Sequence, residues 1–246
     1  MKYFIDFEFI EGDIPVKIFG LNIPKWLVKP NNTIQPISIG LVGSDSREYY
    51  AISKDFNLKE AWNRFQWNQS ILQQSGEFIK EYWIRENVLL PIYEDKVHGD
   101  MRNHVPFTYS NMKGIIKGFG KTNKQIAEEV KDFVGYKDYA SYPLMSGNFN
   151  EIVTHEFYGY YCDYDWVCFS WLFGKMIDLP TGFPMYCIDL KQEMDRKATL
   201  KSPNHSYKEQ IDWIKAIDGY PKQTNEHNAL ADAKFNYDLY NFLITT

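Results

Sequence analysis

The sequence predicts one α/β domain over residues 1–246, built on a mixed β-sheet. Three segments rich in β-branched and aromatic residues come first, which is the order of an antiparallel meander. Short apolar strands then alternate with helices, which is the order of a parallel arrangement. Hydrophobic residues make up 44% of the chain and aromatic residues 17%, so a substantial core can form.

The first three strands are predicted from runs of β-forming residues that end at turn residues. These runs cover residues 3–9, 34–42 and 47–53. A stretch rich in proline and asparagine, residues 14–33, connects the first two runs, and residues 43–46 form a turn between the last two. We therefore expect the three strands to pair as neighbours in one sheet.

Residues 54–150 contain no strong strand pattern and are predicted to be an insertion within the domain, mainly helical and loop. We expect helices at residues 57–67 and 71–85, and loops at residues 91–108 and 137–149. Thr122 and Gln125 have the spacing of a capping box, which predicts that a further helix begins at this point.

The C-terminal part of the chain alternates strands and helices. The expected order is a strand at residues 156–162, an apolar helix at 164–176, a short buried strand at 185–190, polar helices and loops over 191–226, and a helix from Asn228 onwards. With the meander, these elements give a mixed five-stranded sheet flanked by helices.

Charge and composition exclude several classes of protein. The net charge is −5 and the isoelectric point is near 5.6, so the chain does not coat nucleic acid by bulk electrostatics. A polyanionic substrate would require bound cations or a local basic patch. No apolar run reaches the length of a membrane span. Asp6 and Glu8 interrupt the first apolar run, so it does not have the pattern of a secretory signal. The three cysteines form no CxxC pair, and we therefore expect a cytoplasmic protein.

Asp6 and Glu8 are the first candidate site residues. Two residues apart on a strand, their side chains point to the same face. In a central strand, two unpaired carboxylates would destabilise the fold by roughly several kcal/mol. A bound divalent cation would make the same two charges stabilising. The alternative is an edge strand with a solvated acidic face.

Asp163 and Asp165 follow the end of a predicted strand. Asp163 is expected to cap the following helix, and Asp165 is expected to face a site.

His227 and Asp232 form the last candidate pair. Five residues apart, they would lie on nearly opposed faces of an ideal helix, so a shared site requires His227 to precede the helix. The alternative is a capping histidine and a surface aspartate. Four carboxylates on three separate elements, together with one histidine, are the side chains that a two-metal phosphodiesterase requires.

The segments FIDFEF, YDWVCFSWL and HNALADA resemble the three motifs of the DEDDh (DnaQ-like) 3′-5′ exonucleases, which have a ribonuclease H-like fold. The chain looks most like a small bacterial exoribonuclease branch that includes a polyadenylate-specific enzyme. The resemblance covers residues 1–53 and 156–246. Tyr161 stands where many relatives have asparagine, and residues 54–150 exceed what the family needs.

The resemblance implies that Asp6, Glu8, Asp165 and Asp232 bind two divalent cations, Mg²⁺ or Mn²⁺, and that His227 is the general base. The implied activity is removal of nucleoside 5′-monophosphates from the 3′ end of single-stranded nucleic acid, with RNA favoured over DNA. Because relatives form dimers, the resemblance also implies a second copy of the chain as a partner in a homodimer. The alternatives are a DNA exonuclease, a catalytically silent nucleic-acid-binding domain of the same fold, and a metal-free acidic interaction domain.

Two groups of residues are candidates for substrate contact. Phe9 or Ile10, at the end of the first strand, could wedge against the terminal base, and the alternative is that they belong to the core. Residues 101–127 contain basic and aromatic residues and no acidic one, which fits a mobile segment that guides the strand. The relevant residues there are Lys117, Phe119 and Lys121, and the alternative is a solvated loop with ordinary lysines.

Overall fold

The structure is a computed structural model that describes residues 1–14, 17–19, 21–24, 27–29, 31–68, 79–97, 105–135 and 155–246. Its strands are β1 (Lys2–Ile14), β2 (Lys17–Ile18), β3 (Leu21–Asn22), β4 (Asn31–Gly43), β5 (Glu48–Ile52), β6 (Gln66–Asn68), β7 (Ile79–Glu81), β8 (Glu156–Gly159) and β9 (Ile188–Asp189). Five of them form one mixed sheet in the order β5-β4-β1-β8-β9. The predicted α/β class and five-stranded mixed sheet are confirmed, with β1 in the centre.

Helices flank this sheet. They are α1 (Leu58–Asn63), α2 (Leu90–Val97), α3 (Tyr109–Phe119), α4 (Asn123–Val134), α5 (Asp163–Phe173), α6 (Leu190–Lys201), α7 (Tyr207–Lys215) and α8 (Ala229–Thr245). The predicted start of α4 is confirmed, because Thr122 and Gln125 form the reciprocal capping box. Within the described ranges, no helix has the length and apolarity needed to cross a membrane.

The chain divides into two compact units. The first comprises residues 1–7, 38–51 and 122–246, and the second comprises residues 8–37 and 52–121. The sequence predicted an elaboration over residues 54–150. The second unit instead also takes in residues 8–37, and α4 belongs to the first unit because it packs on α5.

Aromatic packing forms the core of the first unit. Phe157 on β8 is fully buried and contacts Tyr3, Trp166 and Phe169 at ring-centroid distances of 5.4, 5.3 and 5.0 Å. Trp166 and Phe169 stack on each other with an interplanar angle of 12°. Burying one such side chain stabilises the fold by about 1.5–3 kcal/mol, so this cluster fixes α5 against the sheet.

The second unit contains structure that the sequence did not predict. Residues 91–108 were expected to be a loop, but residues 90–97 form α2 after the π-helical turn Arg85–Leu89. Pro91 lies in the first turn of α2, where its missing N–H is tolerated. In the rest of that expected loop, residues 98–104 lie outside the described residues, and residues 105–108 form neither helix nor strand, as expected. The loop expected at 137–149 also lies outside the described residues.

The helices expected at 57–67 and 71–85 are only partly correct. Helix α1 ends at Asn63, and β6 pairs in antiparallel orientation with β7 from Gln66 opposite Glu81 to Asn68 opposite Ile79. Residues 69–78 lie outside the described part of the chain. Residues 101–127, whose basic and aromatic side chains were expected to lie in a mobile segment, contain helix α3. Thr108 is the N-cap of this helix.

Gly40 determines how closely α8 approaches the sheet. A Cβ atom built on Gly40 would lie 2.1 Å from the carbonyl oxygen of Ala229, the first residue of α8. Such a contact is with backbone and cannot be relieved by turning a side chain. The first turn of α8 therefore lies against β4 because position 40 carries no side chain.

We predict that Gly40→Ala lowers the free energy of unfolding by about 3 kcal/mol or more, because β4 and α8 must separate. Chemical denaturation followed by circular dichroism measures this change. The matched control is Gly114→Ala within α3, where an added Cβ would meet no described atom within 4 Å and should stabilise the helix by about 0.5–1 kcal/mol. Equal stabilities of the two variants would contradict the prediction.

Candidate metal centre on the central strand

The carboxylates of β1 lie on a central strand and not on an edge. Strand β1 lies between β4 and β8, and it pairs with β8 in parallel from Lys2 opposite Glu156 to Phe4 opposite Tyr158. Glu8 is 8% exposed, and Asp6 is half-buried. The alternative of an edge strand with a solvated acidic face is therefore wrong.

Two side chains bind the backbone of β1 where its pairing with β8 ends. The Nδ2 of Asn236 on α8 donates a hydrogen bond to the carbonyl oxygen of Ile5 at 2.9 Å. The N–H of Phe7 donates to Oδ1 of Asp165 on α5 at 2.8 Å. Because Asp6 lies between Ile5 and Phe7, helices α5 and α8 are attached to the strand on either side of this carboxylate.

Asp165 occupies the first turn of α5 and is 6% exposed. Burial raises the pKa of its carboxyl to about 7, and the hydrogen bond from Phe7 partly opposes that increase. Cys162, rather than Asp163, is the N-cap residue, and Asp163 is the exposed first residue of the helix. The expected capping role of Asp163 is therefore wrong, whereas Asp165 faces inward as predicted.

His227 and Asp232 are arranged as their spacing requires. Asn228 is the N-cap of α8, so His227 precedes the helix and Asp232 lies in its first turn. The backbone N–H of His227 donates to Oδ2 of Asp232 at 2.9 Å, and Nε2 of Gln223 donates to Oδ1 at 2.7 Å. Burial raises the pKa of Asp232, and these two hydrogen bonds oppose the shift.

Glu8 follows Phe7 directly on the unbroken strand β1. His227 and Asp232 each offer one ligand atom, and these two atoms lie within 4.8 Å of each other. Carboxylate and imidazole groups at such separations are a set that can share a divalent cation.

The other predicted residues have different environments. Ile10 is 1% exposed and belongs to the core, so Phe9, which is half-buried, is the better candidate for a wedge. Phe119 is 54% exposed and Lys117 is exposed, both on α3. Lys121 is half-buried, and its backbone N–H donates to Ile52 at 2.8 Å.

Sequence reasoning missed two residues that orient the carboxylates. Asn236 is 1% exposed in the apolar stripe of α8, and a polar residue there was a signal that something polar lies opposite it. Gln223 is exposed in the segment before α8, and its position in the sequence gave no such signal. Asp189 is the N-cap of α6, and its carboxylate accepts from the N–H of Lys191 at 2.7 Å.

We predict that Asp165→Asn stabilises the metal-free protein, and that the gain increases with pH. The folded-state pKa of Asp165 lies above the ordinary value of about 3.9, so its contribution to stability is complete below that value and is lost as pH rises through about 7. Asparagine stays neutral and still accepts from Phe7. The expected gain at pH 8 is on the order of a few kcal/mol, measured by thermal unfolding in EDTA from pH 4 to 8.

Two companion variants separate charge from hydrogen bonding. Asp165→Ala should destabilise the protein by about 1–3 kcal/mol, because the buried N–H of Phe7 loses its acceptor. Asp163→Asn changes an exposed carboxylate in the same turn and should alter the free energy of unfolding by no more than about 0.5 kcal/mol. A gain in stability for Asp165→Asn that does not vary with pH would contradict the conclusion that burial raises the pKa of Asp165.

No protein-family model matches this chain, and no curated protein is similar to it at a significant level.

Proposed function

We propose that this chain is a metal-dependent 3′-5′ exonuclease that releases nucleoside 5′-monophosphates from single-stranded nucleic acid, with RNA as the favoured substrate. The proposal rests on its motif resemblance to DEDDh exonucleases, and the five-stranded mixed sheet is compatible with their ribonuclease H-like fold. The observation that carries it is the attachment of α5 and α8 to β1 on either side of Asp6 by Asp165 and Asn236.

The residues at this position suit hard divalent cations. Asp165 and Asp232 are buried, and burial raises both pKa values, so each negative charge lacks full compensation from the protein. Oxygen ligands are those that Mg²⁺ and Mn²⁺ prefer. In the proposal Asp6, Glu8, Asp165 and Asp232 hold the cations, and the position of Asp6 and Glu8 on the same unbroken strand β1 supports this assignment.

Bound cations of this kind supply a water of lowered pKa and stabilise the leaving 3′ oxygen of a phosphodiester. The protein's own contribution is to orient the groups around the scissile bond. Gln223 and the N–H of His227 each hold one oxygen of Asp232, so its carboxylate cannot rotate freely. Phe7 holds Asp165 in the same way. Groups fixed before the reaction do not have to be ordered during it.

His227 is the proposed general base. It precedes the first turn of α8, and one of its ring nitrogens lies within 4.8 Å of a carboxylate oxygen of Asp232. Imidazole is the side chain that most often serves as a general base, so this ring can accept a proton from an attacking water. Phe9, Phe119, Lys117 and Lys121 stay predicted contacts for the strand.

We predict that the purified chain digests end-labelled single-stranded RNA from its 3′ end only when Mg²⁺ or Mn²⁺ is present. His227→Asn should lower the rate by about 10²- to 10⁴-fold. Asparagine tolerates the left-handed backbone of this position, where φ is 66°. Denaturing gels that resolve single nucleotides measure both the rate and the products, which should be nucleoside 5′-monophosphates.

The matched control for this variant is His205→Asn, because His205 is exposed in the segment before α7 and should retain full activity. A parallel digestion of DNA of the same sequence decides between the two substrates. Absence of metal-dependent digestion of either strand would overturn the exonuclease proposal and leave a silent nucleic-acid-binding domain as the alternative.

Cation binding is also predicted to be visible without catalysis. Mn²⁺ at a hundred times its dissociation constant should stabilise the folded protein by about 2.7 kcal/mol, since the unfolded chain has no such site. Asp232→Asn should remove most of this gain, whereas Asp212→Asn, an exposed carboxylate of α7, should retain it. Thermal unfolding with Mn²⁺ or EDTA measures the difference, and an equal gain in the two variants would refute the assignment of Asp232 as a ligand.

A further inference from the structure

The second unit contains a pocket of about 400 Å³ that the metal centre does not use. Three aromatic side chains and several polar ones line it, among them Phe9, Phe65, Trp83, Arg64, Gln66 and Glu81. Its volume is near the lower end of the range for small-molecule sites, which suits a ligand the size of one nucleoside. Phe9 comes directly after Glu8 on β1, so the pocket begins one residue along the strand from a predicted metal ligand.

Exposed aromatic rings lie at this pocket and next to it. Phe65, which lines the pocket, is 41% exposed. Its neighbour Trp67 on β6, which lies beside the pocket lining, is 51% exposed. Their ring centroids are 5.4 Å apart in an edge-to-face arrangement, and Tyr82 lies 6.1 Å from Phe65. Neighbouring aromatic rings that remain in contact with water provide flat apolar faces on which another planar ring can stack.

Positive charge lies directly against these rings. The Nζ of Lys80 is 4.2 Å from the ring centroid of Phe65 and 5.7 Å from that of Trp67. The guanidinium carbon of Arg85 is 3.9 Å from the centroid of Tyr82. Aromatic faces combined with cations are the elements from which single-strand nucleic-acid sites are built, since the rings stack on bases and the cations attract phosphates.

The polar groups of the pocket match the edge of a base. Nε2 of Gln66 donates to Oε2 of Glu81 at 3.0 Å, and the guanidinium of Arg64 binds Oε1 of Glu60 at 2.5 Å. Amide, carboxylate and guanidinium groups next to an aromatic face can donate to and accept from the ring nitrogens and exocyclic groups of a base.

We propose that this pocket is a nucleotide subsite that stacks an unpaired base of a single strand, with Phe65 as the main stacking residue and Lys80 and Arg85 near the phosphates. As a subsite of the substrate strand it rests on the proposed exonuclease function. A stacking site tolerates any base sequence, because every base has a π-face. The pocket would thus contribute affinity for single strands that the acidic overall charge of the chain does not supply.

The test is direct binding without turnover. Fluorescence anisotropy in EDTA measures the affinity of the full chain for a labelled single-stranded RNA of about ten nucleotides, a length within the usual range of site sizes. Phe65→Ala should weaken binding about tenfold, and Phe65→Leu, which keeps apolar bulk but removes the π-face, should weaken it nearly as much. Phe65→Tyr should restore it. Lys80→Ala should weaken binding and reduce its dependence on salt.

The matched control is Trp213→Ala on α7, because Trp213 is an aromatic residue of similar exposure, 38%, that does not line the pocket. Unchanged affinity in Phe65→Leu, with the thermal unfolding of wild type, would overturn the proposal and would point to another occupant such as a peptide. Failure of the two proposals can be distinguished. If the pocket variants lose binding but wild type shows no metal-dependent digestion, the subsite is supported and the exonuclease is not. If the pocket variants keep full digestion and unchanged affinity, the exonuclease is supported and the subsite is not.

Discussion

The structure depends on how strand β1 satisfies its backbone after its pairing with β8 ends. The carbonyl of Ile5 and the N–H of Phe7 lie beyond the last paired residue, Phe4, and buried backbone groups of this kind need partners. The side chains of Asn236 and Asp165 supply them. One local requirement of the sheet therefore fixes two helices, and it leaves Asp6 between their points of attachment.

This arrangement places negative charge where burial disfavours it. Asp165 and Asp232 both lie in the first turn of a helix, where the helix dipole favours an anion by about 0.3–1 kcal/mol at exposed sites. The raised pKa values indicate that the dipole and the hydrogen bonds do not fully offset burial. In the proposed metal centre a divalent cation would supply the missing positive charge, so the residues that burial destabilises are those that a cation would stabilise.

The sequence allowed prediction of the elements whose patterns are local. An apolar run with two carboxylates predicted a buried β1, and the spacing from His227 to Asp232 required the turn before α8. The second unit was less predictable. Glycine and proline are read as signals of loops, so the glycine residues of α3 and Pro91 in α2 weighed against predicting these two helices. The pocket at Phe65 could not be predicted, since it depends on the pairing of β6 with β7 across a long segment.

Backbone strain gives the candidate site a further physical signature. Tyr161 has a φ of 54° and precedes the N-cap of α5, and His227 has a φ of 66° and precedes the N-cap of α8. Each left-handed residue of this kind costs about 1–2 kcal/mol unless it is glycine or asparagine. Asparagine is favoured in this conformation, and a histidine at position 227 is consistent with the proposed role of its imidazole as general base. His227→Asn should accordingly unfold at a higher temperature than wild type while it loses activity, which joins the strain at this position to the proposed chemistry.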